Sequence, residues 1–160
     1  MGIEERSIVV NLGEVRVSKD PKETLTCLGI GSCIAICMYD TERGLCGMAH
    51  VVLPESNGTG TSPKYADVAV PQLIYDMRHR GGNISRLTAK IAGGAQMATV
   101  GGGGEIGHKN TTAVMENLTL NGIKVISSDV GGHRGRSVTM PVGQCGKVFV
   151  KTIGEQPREL

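Results

Sequence analysis

Aromatic residues are nearly missing from this chain, which has no Trp, one Phe and three Tyr in 160 residues. Bases of single-stranded nucleic acid stack on such rings, so that class of binding loses its usual platform. Charge offers no substitute. Seventeen Lys and Arg face fifteen Asp and Glu, and apart from a loose cluster between positions 78 and 86 the cations are dispersed, leaving no electrostatic footprint for a phosphate backbone. No apolar run approaches the ~18 to 20 residues that span a bilayer, so membrane insertion is not expected. The start MGIEERSIVVNLGEVRV has charges where a secretory signal has its apolar centre. Arg6 also stands where a myristoylation signal needs Ser or Thr. Five cysteines, an odd count, then favour free thiols in a reducing cytoplasm.

Glycine, by contrast, is abundant, with 24 residues; it allows left-handed backbone and close approach, and so predicts many tight turns. The length fits a single domain over 1–160 with one layer-packed core. Residues 7–17 alternate around Gly13 and read as a bent strand or two short ones. The stretch 25–39, LTCLGIGSCIAICMY, is apolar on both faces and reads as a buried strand entered through a tight loop. A turn at 40–44 leads to a second apolar strand, 45–53, stopped by Pro54, which makes a hairpin. The polar stretch 54–63 is a candidate lid. Ala66, Ala69, Val70, Leu73, Ile74 and Met77 carry the three-and-four spacing of an amphipathic helix, with Pro71 kinking it or starting its main part. A strand at 87–91, a glycine-dominated loop at 93–107, a helix capped by Asn110 or Thr111 and ended by Gly122, and strands at 123–127, 136–142 and 147–153 complete the reading. Two main helices and about seven strands imply an α+β fold, an α/β sandwich with mixed or antiparallel sheets.

The chemistry concentrates in Gly31-Ser32-Cys33 and in His50 across the hairpin. A register centred on Thr41-Glu42 makes opposing positions sum to 83 and sets Cys33 directly opposite His50, with Cβ atoms ~4.5 to 5.5 Å apart. A thiol and an imidazole at that distance are a nucleophile and its base. A neighbouring imidazolium would raise the thiolate fraction, and the N–H of Cys33, with that of Ser32 or Gly31, is the candidate oxyanion hole. On residue type alone a Cys in an apolar strand is core, and Cys37, Cys46 and Cys145 are read that way. Zinc on Cys33, Cys37, Cys46 and His50 is disfavoured, because residues four apart on a strand lie ~13 Å apart. Gly102 to Gly107 matches a dinucleotide pattern, but a glycine run generates such matches cheaply and no βαβ context supports it. His108, Lys109 and Asn110 read as a helix entry with a polar contact role; His79 and His133 read as solvated.

The segments LGIGSCIAICMYD, GMAHVVLPES, KYADVAVPQLIYDM, LTAKIAGGAQM, IGHKN and DVGGHRGR, in that order, resemble the chemoreceptor glutamine deamidase family CheD over nearly the whole length. The resemblance implies an α/β sandwich of one domain, with Cys33 as the family's nucleophile and His50 as its catalytic His. It also implies a thioester route from glutamine to glutamate on chemoreceptor cytoplasmic helices, without a cofactor. Partners implied beyond the receptor are a CheC-type phosphatase or an archaeal chemotaxis adaptor. One position departs from the family: Cys27 stands where Thr is usual, six residues before the nucleophile. That departure keeps open an alternative, a catalytically weak or inactive homologue acting as a binding and regulatory module.

Overall fold

The computed structural model describes residues 5–58, 60–97 and 105–160. Strands β1 (Arg6–Val9), β3 (Glu23–Ile30), β8 (Arg136–Pro141), β9 (Phe149–Thr152) and β10 (Arg158–Glu159) form one sheet in that order. Strands β2 (Val15–Ser18), β5 (Leu45–Val51), β4 (Ile34–Asp40), β6 (Thr88–Gly93) and β7 (Lys124–Val130) form the other. The pairs β1/β3 and β6/β7 are parallel and the rest antiparallel. With helices α1 (Ala66–His79) and α2 (Ile106–Leu120), this is the expected α+β class with mixed sheets.

The double-faced apolar character of β4 has a direct cause. Ile34, Ile36 and Met38 join the cluster under the helices, with Leu73 and Met77 of α1 and Val114 and Leu118 of α2. Ala35, Cys37 and Tyr39 join the cluster between the sheets, with Leu25, Cys27, Val138 and Met140. β4 is therefore sandwiched by apolar layers, each fully buried aliphatic side chain contributing ~1.5 to 3 kcal/mol. The helix facing was legible: the buried residues of α1 are the six read from the spacing, and Pro71 lies inside the helix.

Three elements differ from the sequence reading. The stretch 25–39 is two strands in different sheets, β3 and β4, with Gly31-Ser32-Cys33 crossing between them; apolar faces alone do not reveal where a chain changes sheet. The β4/β5 hairpin pairs Asp40 with Leu45, so its loop holds 41–44 and Gly44 supplies a left-handed residue at φ 59° where a two-residue turn was expected. Helix α2 begins at Ile106, before the expected Asn110 or Thr111 cap, and Asn110 is completely buried.

Candidate active site

The hairpin loop sets the geometry of the site. Opposing positions sum to 85 rather than 83, so His50 faces Ala35 and Cys33 is not its direct partner. Side chains alternate with period two, so a slip of two residues keeps Cys33 and His50 on one face whereas a slip of one would have separated them. Both residues accordingly line one cavity of about 350 Å³, together with 9–12 after β1 and 28–31 at the end of β3. Exposed Leu12 and Leu28 form its apolar rim. Apart from His50 and the thiol, no titratable side chain among the described residues lines it. A second cavity of about 330 Å³ over Asp129, His133, Arg136 and Glu155 has charge but no cysteine among its described lining residues.

His50 is buried, and its Nδ1 lies 3.0 Å from the Val10 carbonyl oxygen. A carbonyl only accepts, so Nδ1 carries a hydrogen, and in the neutral ring that tautomer leaves the lone pair on Nε2. Nε2 is buried without a hydrogen-bond partner among the described residues. The imidazole is thus oriented by a backbone atom, and a basic nitrogen is left over. The thiol of Cys33 and the imidazole are not hydrogen-bonded to each other among the described contacts, as is common before substrate tightens such a pair.

Cys33 is half-buried. Burial pushes its thiol up from the usual 9.0, opposed by its own backbone N–H, so the expected depression by an imidazolium is absent and the resting group is a thiol. The crossing link is held by its carbonyls. Gly31 O accepts from Ala95 N at 2.9 Å, Ser32 O from Asn110 Nδ2 at 2.9 Å and Cys33 O from Gly94 N at 2.8 Å. In a trans peptide the N–H points opposite to its C=O, so these bonds also fix the N–H groups of Ser32 and Cys33, two of the three expected oxyanion donors. Gly31 itself lines the cavity.

Cys27 is fully buried, with Sγ 3.8 Å from the same Val10 carbonyl and 3.5 Å from Met48 Sδ; burial, with Cys33 nearby, pushes its thiol up to about 12. Cys37 is paired with Met48. Cys46 Sγ lies 3.5 Å from Cys145 Sγ, and the hydrogen bond it donates holds the Cys145 thiol below its usual range. No group of three or more His, Cys, Asp or Glu among the described residues is arranged to hold a metal, so exhaustive chelation is expected to leave melting temperature and activity unchanged. The described part of 54–63 does not line the cavity; Ser56 N and Oγ bond Asp67 of α1. The glycine run 102–104 lies outside the described residues. His79 is exposed and stacks on Tyr75, and His133 is exposed with Nδ1 bonded to Gln96 O.

Two sequence comparisons bear on this site. A profile of the family described as CheD chemotactic sensory transduction matches residues 52–152. The chain belongs to the CheD family. A relative from Thermotoga maritima named chemoreceptor glutamine deamidase CheD is 44% identical over 91% of this chain and 92% of its own. One from Syntrophomonas wolfei, named probable chemoreceptor glutamine deamidase CheD, is 40% identical over 94% and 96%. The profile match excludes Cys33 and His50, but alignments this long include both positions. A solved structure, Bacillus licheniformis hypothetical protein YfiH, matches with a TM-score of 0.36 at 20% identity over 57% of this chain and 37% of its own. That likeness carries no weight for the CheD reading.

Sequence reasoning missed Val10, which acts through a backbone carbonyl and leaves no mark in residue type. For Asn110 the polar contact role was readable in IGHKN, but its partners were not, and it lies inside α2 rather than at the cap.

The thiols themselves provide a test. Cys33 and Cys145 are the partly accessible cysteines and the other three are buried, so a limiting alkylating agent should divide between these two. Because Cys33 titrates above 9.0 and Cys145 below it, the Cys33 rate should still climb past pH 9 while the Cys145 rate levels off. Peptide mapping across pH checks this; substantial adduct on Cys27, Cys37 or Cys46 would contradict the burial assignments.

Proposed function

We propose that this protein hydrolyses the side-chain amide of glutamines in chemoreceptor cytoplasmic helices, acting in the cytoplasm with Cys33 as nucleophile and His50 as base and acid. The observation that carries this reading is the buried Nε2 of His50, without a hydrogen-bond partner among the described residues, in the same cavity as the Cys33 thiol. The names of the relatives supply the substrate class.

The steps follow from the resting states. Nε2 takes the thiol proton as Sγ bonds the amide carbon, and the carbonyl electrons move to oxygen to give an oxyanion that the Ser32 and Cys33 N–H groups face. The oxyanion collapses, the C–N bond breaks, and Nε2 returns the proton so that ammonia leaves a thioester. Water then attacks that carbon, giving its proton to Nε2; the C–S bond breaks and the thiolate recovers the proton. A neutral carboxamide suits a cavity without charged neighbours, whereas the product carboxylate finds no cation there to retain it.

The test is incubation with a chemoreceptor cytoplasmic fragment, with ammonia and the glutamine-to-glutamate mass change expected in equal amounts. Added hydroxylamine should divert the thioester to a hydroxamate at the same residue. Binding of the fragment without ammonia release would instead support the regulatory-module reading, which the Cys27 position favours.

That position yields its own prediction. Since the Val10 carbonyl already orients the imidazole, Cys27→Thr should raise the rate several-fold at most and Cys27→Ala should change it little, at a stability cost of ~1 kcal/mol. Initial rates and thermal melts of both variants check this; if Cys27→Ala abolishes turnover while Cys33→Ala retains it, the nucleophile is Cys27.

A further inference from the structure

We propose that Asn110 is a positioning residue for this reaction, its side-chain amide fixing the peptide unit between Ser32 and Cys33 so that the Cys33 N–H meets the developing oxyanion. The inference rests on the deamidase reading and adds a residue to it. Asn110 lies on α2, outside the hairpin that carries the thiol and imidazole, and its side chain is completely buried. Its Nδ2 donates to Ser32 O and to Val52 O, each at 2.9 Å. Ser32 immediately precedes the nucleophile and Val52 follows His50 by two residues, so one NH₂ group ties the segment of the thiol to the strand of the base.

The direction of the pull matters. A planar trans peptide holds its C=O and N–H antiparallel, and with the Ser32 carbonyl drawn toward α2 the Cys33 N–H is turned away from the helix. The opposing influence of that N–H on the Cys33 thiol agrees with its lying beside Sγ. The neighbouring carbonyls of Gly31 and Cys33 are held by main-chain donors of Ala95 and Gly94; only the middle one depends on a side chain. Asn also has poor helix propensity, because its side chain competes with the backbone for hydrogen bonds. Its Oδ1 is buried with no partner among the described residues, which is unfavourable in itself. A buried amide whose two donated bonds fall on the nucleophile and base segments, from a helix that carries neither, points to geometry beyond stability.

The test compares wild type, Asn110→Ala and Asn110→Ser on the receptor fragment, on iodoacetamide, and on a peptide whose target glutamine carries an aldehyde in place of the carboxamide. The aldehyde adds to Cys33 Sγ, the thiol proton passing to His50, and its oxygen becomes the oxyanion; alkylation needs no such stabilisation. Removing one oxyanion donor costs roughly 10²- to 10³-fold in kcat, so loosening one should lower kcat by roughly 10- to 100-fold, with KM within about twofold. Affinity for the aldehyde should fall by the same factor while the alkylation rate stays within about threefold of wild type. Asn110→Ser, which keeps one donor, should lie between and carries the comparison if the alanine variant does not fold. Alkylation falling in step with kcat, or aldehyde affinity unchanged, would make Asn110 merely structural and overturn the proposal. If wild type releases no ammonia, the deamidase reading itself fails. If wild type is active, Cys33→Ala is silent, and the Asn110 variants turn over and bind aldehyde like wild type, only the role of Asn110 fails.

Discussion

Cys33→Ala is expected to reduce ammonia release from a receptor fragment to background, and His50→Asn to lower it by ~10²- to 10⁴-fold, the usual range for a general acid–base group. The two should differ because they remove different things. Without Sγ no thioester can form. Without Nε2 the Cys33 thiol must lose its proton unaided, and burial has raised its pKa, so little thiolate exists at neutral pH. Asn is chosen at 50 because its Nδ2 can take the place of Nδ1 and keep the bond to Val10 O, now 3.0 Å, while removing the second nitrogen. Folding should therefore survive, with a loss of ~1 kcal/mol from an imperfect bond. Cys33 is half-buried and its side chain donates no described hydrogen bond, so Cys33→Ala should melt close to wild type. Initial ammonia release with matched melts measures both; a His50→Asn rate within tenfold of wild type would mean the base lies elsewhere.

How much of this site was legible follows from how each residue acts. Residues that act through side chains in local patterns were readable. The face of α1 followed from helical spacing, and Cys33 and His50 fell on one face because the hairpin reading kept its parity even though its loop was two residues too short. The crossing of the chain from β3 to β4 was hidden, because β3 also contributes buried apolar residues and a continuous apolar run looks the same whether it stays in one sheet or changes sheets. Long-range contacts were hidden for another reason. The bond from His50 to Val10 joins positions 40 apart and that from Asn110 to Ser32 joins positions 78 apart, and no periodicity reports such pairings. The Cys46 and Cys145 contact is hidden likewise, since it joins positions 99 apart. The expected activation of Cys33 did not allow for burial, which pushes its thiol up.

Gly93→Ala should be the most damaging single-methyl change near the site, costing more than ~3 kcal/mol, in the range that marks overpacking combined with backbone strain. Gly93 ends β6 with φ 121°, and a Cβ built there would lie 2.1 Å from the Cys33 carbonyl oxygen and 3.0 Å from Ile30 Cδ1. The first contact is with backbone, so no rotamer change relieves it. Gly93 is also held on both sides, paired with Ile34 of β4 and Val130 of β7, so it cannot retreat without opening the sheet. What can yield is the Cys33 carbonyl, which would then give up its bond from Gly94 N, now 2.8 Å, and turn the backbone of Cys33. Activity should fall further than the unfolded fraction explains. Gly122→Ala is the matched control, since it has φ 73° but nothing within 4 Å of its added Cβ. Left-handed backbone alone costs ~1 to 2 kcal/mol, and at ~2 to 4 °C per kcal/mol for a chain of this size the control should melt only a few degrees below wild type and keep its turnover. Thermal melts and initial rates of the pair, taken below both transitions, make the comparison. Equal melting losses for Gly93→Ala and Gly122→Ala, with activity retained in both, would mean that the backbone of Cys33 is free to move and that β6 does not hold Cys33 in place.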